Sequence, residues 1–371
     1  MQIVGCDFHP SFQQVSILDI STGEVVELKL VHATGEAERF YRGLEAPVLI
    51  GMESTGNTLW FERLMEELGH ELWIGDASQI RASYVRRQKT DRRDAGHILT
   101  LLLEKRFPRI WVPSHLERDQ RQLLLHRHRL VQMRTRVKTE LQHLAMNQGL
   151  QQKRSLWSVR GRADLEKLPL EGWTARRRAD LLQVLGMLEA QVADLDEAVG
   201  KVAFSNASAR LLMRQPGVGP ITALAFVVTI GDVGRFKRGK QVASYLGLIP
   251  SERSSGQKRR LGAISKQGNV FLRTMLVEAA QSAVRHDDEF KKEYAHRCHS
   301  KPKGVAKVAA ARKLAVRLYW MLRTQTPHAH AVHNEGSPSH SLVGESQTVL
   351  LSGHPRIRHW LDVRKKNHGR S

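Results

Sequence analysis

Residues 1–7 read M-Q-I-V-G-C-D, an apolar run with the character of a buried strand that ends in the carboxylate of Asp7. A second apolar run, V-L-I-G-M at residues 48–52, ends in the same way at Glu53. Because acids that end neighbouring strands lie at one edge of a sheet, these two carboxylates are candidates for a shared site.

A third segment supplies two more acids. Residues 89–95 read K-T-D-R-R-D-A, so Asp91 and Asp94 stand three residues apart on one face of a helix. Each acid alone is more often a solvated group or a helix cap. Together the four predict an oxygen-rich pocket for Mg²⁺, the hard cation that assists phosphoryl transfer. The predicted metal ligands and catalytic acids are Asp7, Glu53, Asp91 and Asp94.

The elements around these acids predict an α/β first domain. Apolar periodicity and turn signals give the order β-β-β-α-β-α-β, followed by a helix that starts near Thr90. This is the order of a ribonuclease-H-like fold, a mixed sheet with a central first strand. The predicted strands and helices are residues 2–7, 13–20, 24–31, 35–44, 47–52, 57–68 and 71–74.

Long helices follow between about residues 114 and 203. Two sets of apolar residues recur at heptad spacing, which predicts a coiled-coil hairpin or arm. The sets are Leu116, Leu123, Leu130, Val137 and Leu144, then Leu181, Leu185, Leu188, Val192, Leu195, Val199 and Val202. The first helix is rich in arginine, which is typical either of a solvated face or of an arm that holds nucleic acid or a partner subunit.

The charge distribution favours a polyanionic partner. The chain of 371 residues has a formal net charge of +21. Residues 1–75 hold four basic and twelve acidic residues, a net charge of −8, so the other 296 residues carry +29. An acidic module attached to a basic remainder is how a nuclease would separate metal chemistry from binding of the nucleic-acid backbone.

Composition also indicates where the protein works. The two cysteines, Cys6 and Cys298, predict no disulfide framework, and neither a signal peptide nor a membrane span is expected. We therefore expect a cytoplasmic protein with no membrane partner. Its length predicts several domains. The expected divisions are a metal-binding domain at 1–110, a helical arm at 111–205, a mainly α domain at 206–326 and a flexible basic tail at 327–371.

The mainly α domain contains two signals of nucleic-acid chemistry. The run P-G-V-G-P, with Gly217 and Gly219, predicts a helix-hairpin-helix-like element that offers backbone N–H groups to phosphate, although an ordinary glycine turn has the same pattern. Further on, Ser254 and Ser255 lie in a polar loop among cations, where a hydroxyl could attack a phosphodiester. The predicted nucleic-acid-binding cations are Lys258, Arg259, Arg260, Lys266 and Arg273.

These motifs, in this order, resemble the DEDD transposases of the insertion-sequence one-ten (IS110) family, which is related to the pilin-gene invertases. The resemblance extends to about residue 325. It rests on G-C-D, G-M-E-S-T-G and K-T-D-R-R-D-A in the first domain, and on P-G-V-G-P, Y-L-G-L-I-P, S-S-G, I-S-K-Q-G-N and L-R-T-M-L-V-E-A-A in the mainly α domain.

The resemblance implies a Holliday-junction-resolvase-like (RuvC-like) first domain that holds Mg²⁺ and a transposase domain with a serine nucleophile. Ser255 corresponds best to that serine, with Ser254 as its alternative. The resemblance also implies a covalent phosphoserine link to DNA, a metal site supplied by a partner subunit of a dimer or tetramer, and a structured guide RNA that pairs with donor and target DNA.

Three other functions remain open from the sequence. A site-specific DNA invertase would share these residues, and a metal-dependent junction-resolving nuclease would cut with water and not need the serine. A nucleic-acid-binding protein without catalysis would use the acids structurally.

Overall fold

A computed structural model describes residues 2–84, 91–151, 155–252 and 260–327. The chain divides into two units, residues 1–113 and 114–371, each with its own internal packing. No helix in these described ranges combines the length and apolar character needed to cross a membrane. Cys6 and Cys298 are both free thiols.

The first unit is built on a five-stranded mixed sheet. The strand order is β3-β2-β1-β4-β5, in which β1 pairs antiparallel with β2 and parallel with β4. The elements are β1 (Gln2–Phe8), β2 (Phe12–Asp19), β3 (Val25–Val31), α1 (Glu36–Arg42), β4 (Leu49–Glu53), α2 (Leu59–Glu67), β5 (Glu71–Gly75), α3 (Ala77–Ala82) and α4 (Asp91–Leu103). The predicted order of the strands and the central position of the first strand are confirmed, and the short helix α3 is an addition that was not predicted.

Each face of this sheet has its own core. Val4, Cys6 and Ile50 point to one face, where they pack with residues of α1 and α2 such as Tyr41 and Phe61. The alternate residues point to the other face, which α4 covers with Ile98, Leu99 and Leu102. Because side chains alternate along a strand, the two faces follow directly from the sequence of β1 and β4.

The second unit is mostly helical. Its helices are α5 (His115–Asn147), α6 (Val159–Glu166), α7 (Gly172–Ser205), α8 (Ala207–Leu212), α9 (Pro220–Ile230), α10 (Gly239–Tyr245), α11 (Val270–His286), α12 (Asp288–Ser300) and α13 (Lys303–Thr324). A two-stranded antiparallel sheet, β6 (Pro250–Glu252) and β7 (Leu261–Ile264), was not predicted. The strands are only three and four residues long, too short for an apolar alternation to reveal them.

The long helices α5 and α7 pack against each other in opposite directions. Leu130 packs with Leu188 and Val192 between them. Beside this contact, the Arg127 guanidinium lies 2.7 Å from the largely buried Asp196 carboxylate. Some cations of α5 therefore stabilise the helix pair, since Lys138 also pairs with Glu189 at 2.8 Å. Leu116, the first residue of the predicted heptad set, is exposed.

Candidate functional site

Asp7 and Glu53 lie side by side at the same end of the sheet. In the parallel pair of β1 and β4, Cys6 is opposite Met52, and the next residues along the two strands are Asp7 and Glu53. Gly5 and Gly51 are opposite each other two positions earlier. Because side chains alternate along a strand, Asp7 and Glu53 point to the same face of the sheet as Gly5 and Gly51. This is the face that α4 covers.

The glycines allow α4 to lie very close to the sheet. A Cβ atom on Gly5 would stand 2.3 Å from the Ala95 carbonyl oxygen and 2.5 Å from the Leu99 nitrogen. A Cβ atom on Gly51 would meet the Leu102 side chain at 2.8 Å. Asp94 is the residue before Ala95, and Asp91 lies about one helical turn before it. Because α4 packs closely on the sheet at Ala95, both acids lie near the end of β1 that holds Asp7.

One group of three side chains converges at this end of the sheet. Among the described residues, ligand atoms of Asp7, His9 and Asp91 all lie within 4.8 Å of one another. His9 Nε2 lies 3.1 Å from Asp7 Oδ2 and 3.8 Å from Asp91 Oδ1. His9 was not predicted as a site residue, although the alternation Asp-x-His at a strand end was a signal that could have revealed it.

The other two predicted acids contact neighbouring donors. Glu53 Oε1 accepts a hydrogen bond from Arg81 Nη2 at 3.1 Å, and Asp94 Oδ1 accepts one from the Tyr84 hydroxyl at 2.7 Å. Asp94 is buried, whereas Asp91 is exposed. The structure thus groups Asp7 with Asp91, while Glu53 contacts Arg81 and Asp94 contacts Tyr84.

The electrostatics of the site reflect crowded negative charge. Burial raises the pKa of Asp7, and the charges of Asp94 and Asp91 raise it further, while His9 opposes the shift. Burial also raises the pKa of Tyr84, as do its hydrogen bond to Asp94 and the charges of Asp94, Asp7 and Glu53. A cation would relieve this repulsion.

The residues present fit a divalent metal ion. The carboxylate oxygens of Asp7 and Asp91 are ligands of the kind that Mg²⁺ and Mn²⁺ accept, and they face each other across a short gap. Burial, with a smaller contribution from the charges of Asp94 and Asp91, raises the pKa of Asp7, and a bound cation would oppose both effects.

The predicted nucleophile lies outside the described residues, as do Ser254, Lys258 and Arg259. The flanks of this segment are described, and they form the sheet of β6 and β7. Ser251 Oγ donates to the Ala263 carbonyl at 3.0 Å, and the Ser265 nitrogen donates to the Ile249 carbonyl at 2.8 Å. The residues on either side of the serine segment are therefore held together.

Two glycine turns fix the base of this hairpin. Gly247 and Gly268 both adopt positive φ, at 64° and 72°. A Cβ on Gly268 would stand 2.0 Å from the Tyr245 carbonyl oxygen, so the two chain segments touch through their backbones. The buried Arg273 donates to the carbonyl oxygens of Leu246 and Gln267, one in each segment. In this structure the guanidinium of Arg273 joins the two turns.

The remaining predicted nucleic-acid-binding residues have different surroundings. Arg260 and Lys266 are exposed. Gly219 is the residue before α9, whose first position is Pro220. Gly217 has φ of 86°, and a Cβ there would lie 2.4 Å from the Ala283 nitrogen, so its glycine is required for packing against α11.

Two protein-family models match the chain. A model described as a transposase, of the DEDD type of IS110, matches residues 4–147, a range that includes all four predicted acids. A model described as the transposase IS116/IS110/IS902 family matches residues 209–295, which include the serine segment.

Curated proteins of the same kind are similar over much of the chain. A "Probable family 20 transposase" of Pseudomonas aeruginosa is 31% identical over 333 residues, which are 86% of this chain and 96% of that protein. The "Transposase for insertion sequence element IS1111A" of Coxiella burnetii is 32% identical over 63% of this chain and 65% of its own length. The "Transposase for insertion sequence element IS1328" of Yersinia enterocolitica is 27% identical over 75% of this chain and 84% of its own length.

Proposed function

We propose, from the premise that this chain belongs to the IS116/IS110/IS902 transposase family, that it cuts and exchanges DNA strands by way of a serine nucleophile and a Mg²⁺ site. Membership makes the chain an insertion-sequence transposase, an enzyme that acts on DNA. We propose Ser255 as the nucleophile and Asp7, Glu53, Asp91 and Asp94 as the residues that hold the metal.

The convergence of Asp7 and Asp91 supports the metal site most strongly. Their ligand atoms come from different elements, β1 and α4, and lie within 4.8 Å of each other. Glu53 ends β4, the strand that pairs with β1 beside Asp7, and Asp94 lies about one helical turn after Asp91 in α4. Bound Mg²⁺ would neutralise charge on the phosphate oxygens and on the departing oxygen. The protein contributes the frame, because the close packing of α4 against Gly5 of β1 holds Asp91 near Asp7.

We assign the covalent step to Ser255. Its Oγ forms a bond to the phosphorus of a DNA phosphodiester, and the bond from that phosphorus to one deoxyribose oxygen breaks. The serine proton leaves with the attack and a proton is taken up by the departing oxygen, so the step is a transesterification without water. The deoxyribose hydroxyl of a free DNA end then attacks the phosphorus of a phosphoserine, and the serine oxygen leaves and regains a proton. This step rejoins strands without an external energy source.

The geometry at the base of the serine segment supports this assignment. Hydrogen bonds between β6 and β7 and the Arg273 contacts hold the two ends of the segment together. Exposed Arg260 and Lys266 lie on the C-terminal side of the segment, where phosphates of DNA would be attracted. Gly217, Gly219, Lys258 and Arg259 remain proposed contacts of the nucleic-acid backbone.

The fold assignment is part of the same proposal. The strand order with β1 central, and acids that meet at the end of β1 and β4, support a RuvC-like first domain at residues 1–110. We propose that residues 111–205 form a coiled-coil arm, supported by the antiparallel packing of α5 and α7. Residues 206–326 would be the catalytic transposase domain. The proposed basic tail at 327–371 lies almost wholly outside the described residues.

Three partners complete the proposal. The +29 charge of residues 76–371 supports simultaneous binding of donor DNA, target DNA and a structured guide RNA. We further propose a homodimer or homotetramer in which the serine of one subunit works with the metal site of another, as in a recombinase related to the pilin-gene invertases.

A strand-exchange assay tests this function. Purified protein is combined with Mg²⁺, donor and target DNA, and RNA transcribed from the flanks of the element, and protein–DNA adducts are trapped by denaturation. We expect an adduct with the wild type that disappears in Ser255→Ala and persists in the matched control Ser254→Ala. If adducts persist in Ser255→Ala and vanish in Ser254→Ala, the neighbouring serine is the nucleophile.

Other outcomes identify the alternatives. Cleavage that survives both serine substitutions and fails in Asp7→Ala would mean a nuclease that uses water, and the serine assignment would be wrong. Exchange only between inverted sites of one DNA molecule would mean an invertase. For the divided site, we expect an equimolar mixture of Ser255→Ala and Asp7→Ala proteins to recover exchange that neither variant performs alone.

A further inference from the structure

His9 is held with its imidazole directed at the predicted metal site. It follows β1 directly, and its main-chain nitrogen donates to the Phe12 carbonyl at 2.9 Å across the turn into β2. Its ring stacks on Phe12, with centroids 4.5 Å apart and planes inclined by 23°. Lys29 Nζ lies 4.2 Å from the centroid of the same Phe12 ring. The imidazole therefore has a packed support on one side and presents Nε2 to the acids.

The distances from His9 Nε2 to the two carboxylates lie within the range expected around one metal ion. A nitrogen or oxygen ligand lies roughly 2.1 Å from a small divalent ion, so two ligands at right angles are about 3.0 Å apart and two opposite ones about 4.2 Å. His9 Nε2 is 3.1 Å from Asp7 Oδ2 and 3.8 Å from Asp91 Oδ1. The three atoms can therefore approach a common centre with small adjustments.

Alternation along the strand end explains why the imidazole joins the acids. Asp7 and His9 are two residues apart, so they emerge on the same side of the chain. Asp91 enters from the first turn of α4, whose position is fixed by Gly5. Two of the three ligands, Asp7 and His9, therefore come from one strand and the residues that follow it. Only Asp91 comes from a separate element.

We propose that His9 Nε2 is a ligand of the metal ion held by Asp7 and Asp91, so that the site has mixed nitrogen and oxygen ligands and selects a divalent transition ion such as Mn²⁺ over Mg²⁺. This inference rests on the proposed metal site and adds a ligand to it. Mn²⁺ shares with Mg²⁺ a preference for carboxylate and water oxygens. As a transition ion, Mn²⁺ also accepts an imidazole nitrogen, which Mg²⁺ does not favour. Mg²⁺ still binds through the carboxylates, but it gains little from His9.

Pulsed electron paramagnetic resonance of Mn²⁺ bound to the full-length chain tests this directly. Nitrogen of a coordinated imidazole couples to the electron spin of Mn²⁺, so we expect a ¹⁴N modulation in the wild type. His9→Gln keeps a group that can hydrogen-bond to Asp7 but removes the imidazole, so the modulation disappears. The matched control is His126→Gln, because His126 is an exposed histidine on α5 in the second unit. It retains the modulation.

Calorimetric titration gives the second readout. Removal of His9 is expected to weaken Mn²⁺ binding by about tenfold or more and to leave Mg²⁺ binding within about twofold, since losses of this size accompany changes around metal sites. Loss of the ¹⁴N modulation together with this selective change supports the inference. Equal weakening of Mn²⁺ and Mg²⁺ would overturn the claim of selectivity.

Asp7→Asn separates the failure of this inference from the failure of the metal site. If Asp7→Asn abolishes Mn²⁺ binding but the wild type shows no ¹⁴N modulation, or His9→Gln retains it, the acids hold the ion and His9 is not a ligand. If Asp7→Asn leaves Mn²⁺ binding unchanged, the proposed acid site is itself wrong, and the inference about His9 fails with it.

Discussion

Gly5→Ala is expected to displace α4 and to disable the metal site from a distance. The added Cβ would lie 2.3 Å from the Ala95 carbonyl oxygen and 2.5 Å from the Leu99 nitrogen. Ordinary van der Waals contact begins at 3.4 Å, so the helix would have to retreat by about 1.1 Å. Both clashes are with backbone atoms, which cannot rotate away as a side chain can.

Two consequences follow from this displacement. Overpacking of this kind costs about 1–3 kcal/mol, so the free energy of unfolding of the first unit should fall by that amount. Asp91 and Asp94 move with α4, and a misplacement of roughly 1 Å can reduce catalysis by about 10²-fold. We therefore expect Mn²⁺ affinity and strand exchange to fall in protein that is still folded.

Urea unfolding and Mn²⁺ titration of the same preparations measure both effects. Gly96→Ala is the matched control, because Gly96 lies in α4 and a Cβ there meets no atom within 4 Å. It should gain up to about 1 kcal/mol from helix propensity and bind Mn²⁺ normally. Gly51→Ala should cost less than Gly5→Ala, since the atoms nearest to its Cβ belong to the flexible Leu102 side chain. Wild-type stability and Mn²⁺ affinity in Gly5→Ala would refute the close packing of α4.

The other predictions concern charge and hydrogen bonds. Burial and neighbouring acids raise the pKa of Asp7 in the folded chain, so its ionisation opposes folding. In EDTA, the stability of Asp7→Asn relative to the wild type should therefore increase as pH rises above about 4, and the variant should melt higher at pH 7. A difference in melting temperature that does not change with pH would contradict this. Tyr84→Phe removes the hydroxyl that donates to Asp94, so the free energy of unfolding, measured in urea, should fall by about 1.5–3 kcal/mol. The variant should also bind Mn²⁺ more weakly in calorimetric titration. Unchanged Mn²⁺ affinity would mean that this hydrogen bond does not orient Asp94. Arg127→Leu removes the guanidinium that faces the largely buried Asp196, so the free energy of unfolding should fall by about 3–5 kcal/mol. The double variant Arg127→Leu with Asp196→Leu should recover most of this loss in the same urea assay. Equal losses in the single and double variants would argue against the ion pair.

Much of the first unit could be predicted from its sequence because its strands have clear patterns. The apolar runs before Asp7 and Glu53, and the turn residues between the first strands, predicted the order of the strands that the structure contains. The acids were predicted as a set because each stands at the end of a regular element. Which of them meet depends on register and helix packing, and these are set by the Gly5–Gly51 pair rather than by any pattern in the acids themselves.

What the sequence did not reveal depends on contacts between distant segments. His9 seemed part of a turn, and its approach to Asp91 requires α4 to be in place. Arg81 and Tyr84 contact the acids from α3 and the residues after it, a short helix without a strong apolar period. Arg273 was predicted as a cation for nucleic acid, but its burial and its bonds to Leu246 and Gln267 are consequences of tertiary packing.

Anomalous scattering from a Mn²⁺-soaked crystal of the full-length chain tests the metal site most directly. The account predicts one strong peak at the end of β1, within about 2.0–2.3 Å of carboxylate oxygens of Asp7 and Asp91. The same peak should be absent from crystals of Asp7→Asn. A Mn²⁺ peak elsewhere in the chain, with Asp7 and Asp91 left uncoordinated, would contradict the assignment of these acids as the metal site of the transposase.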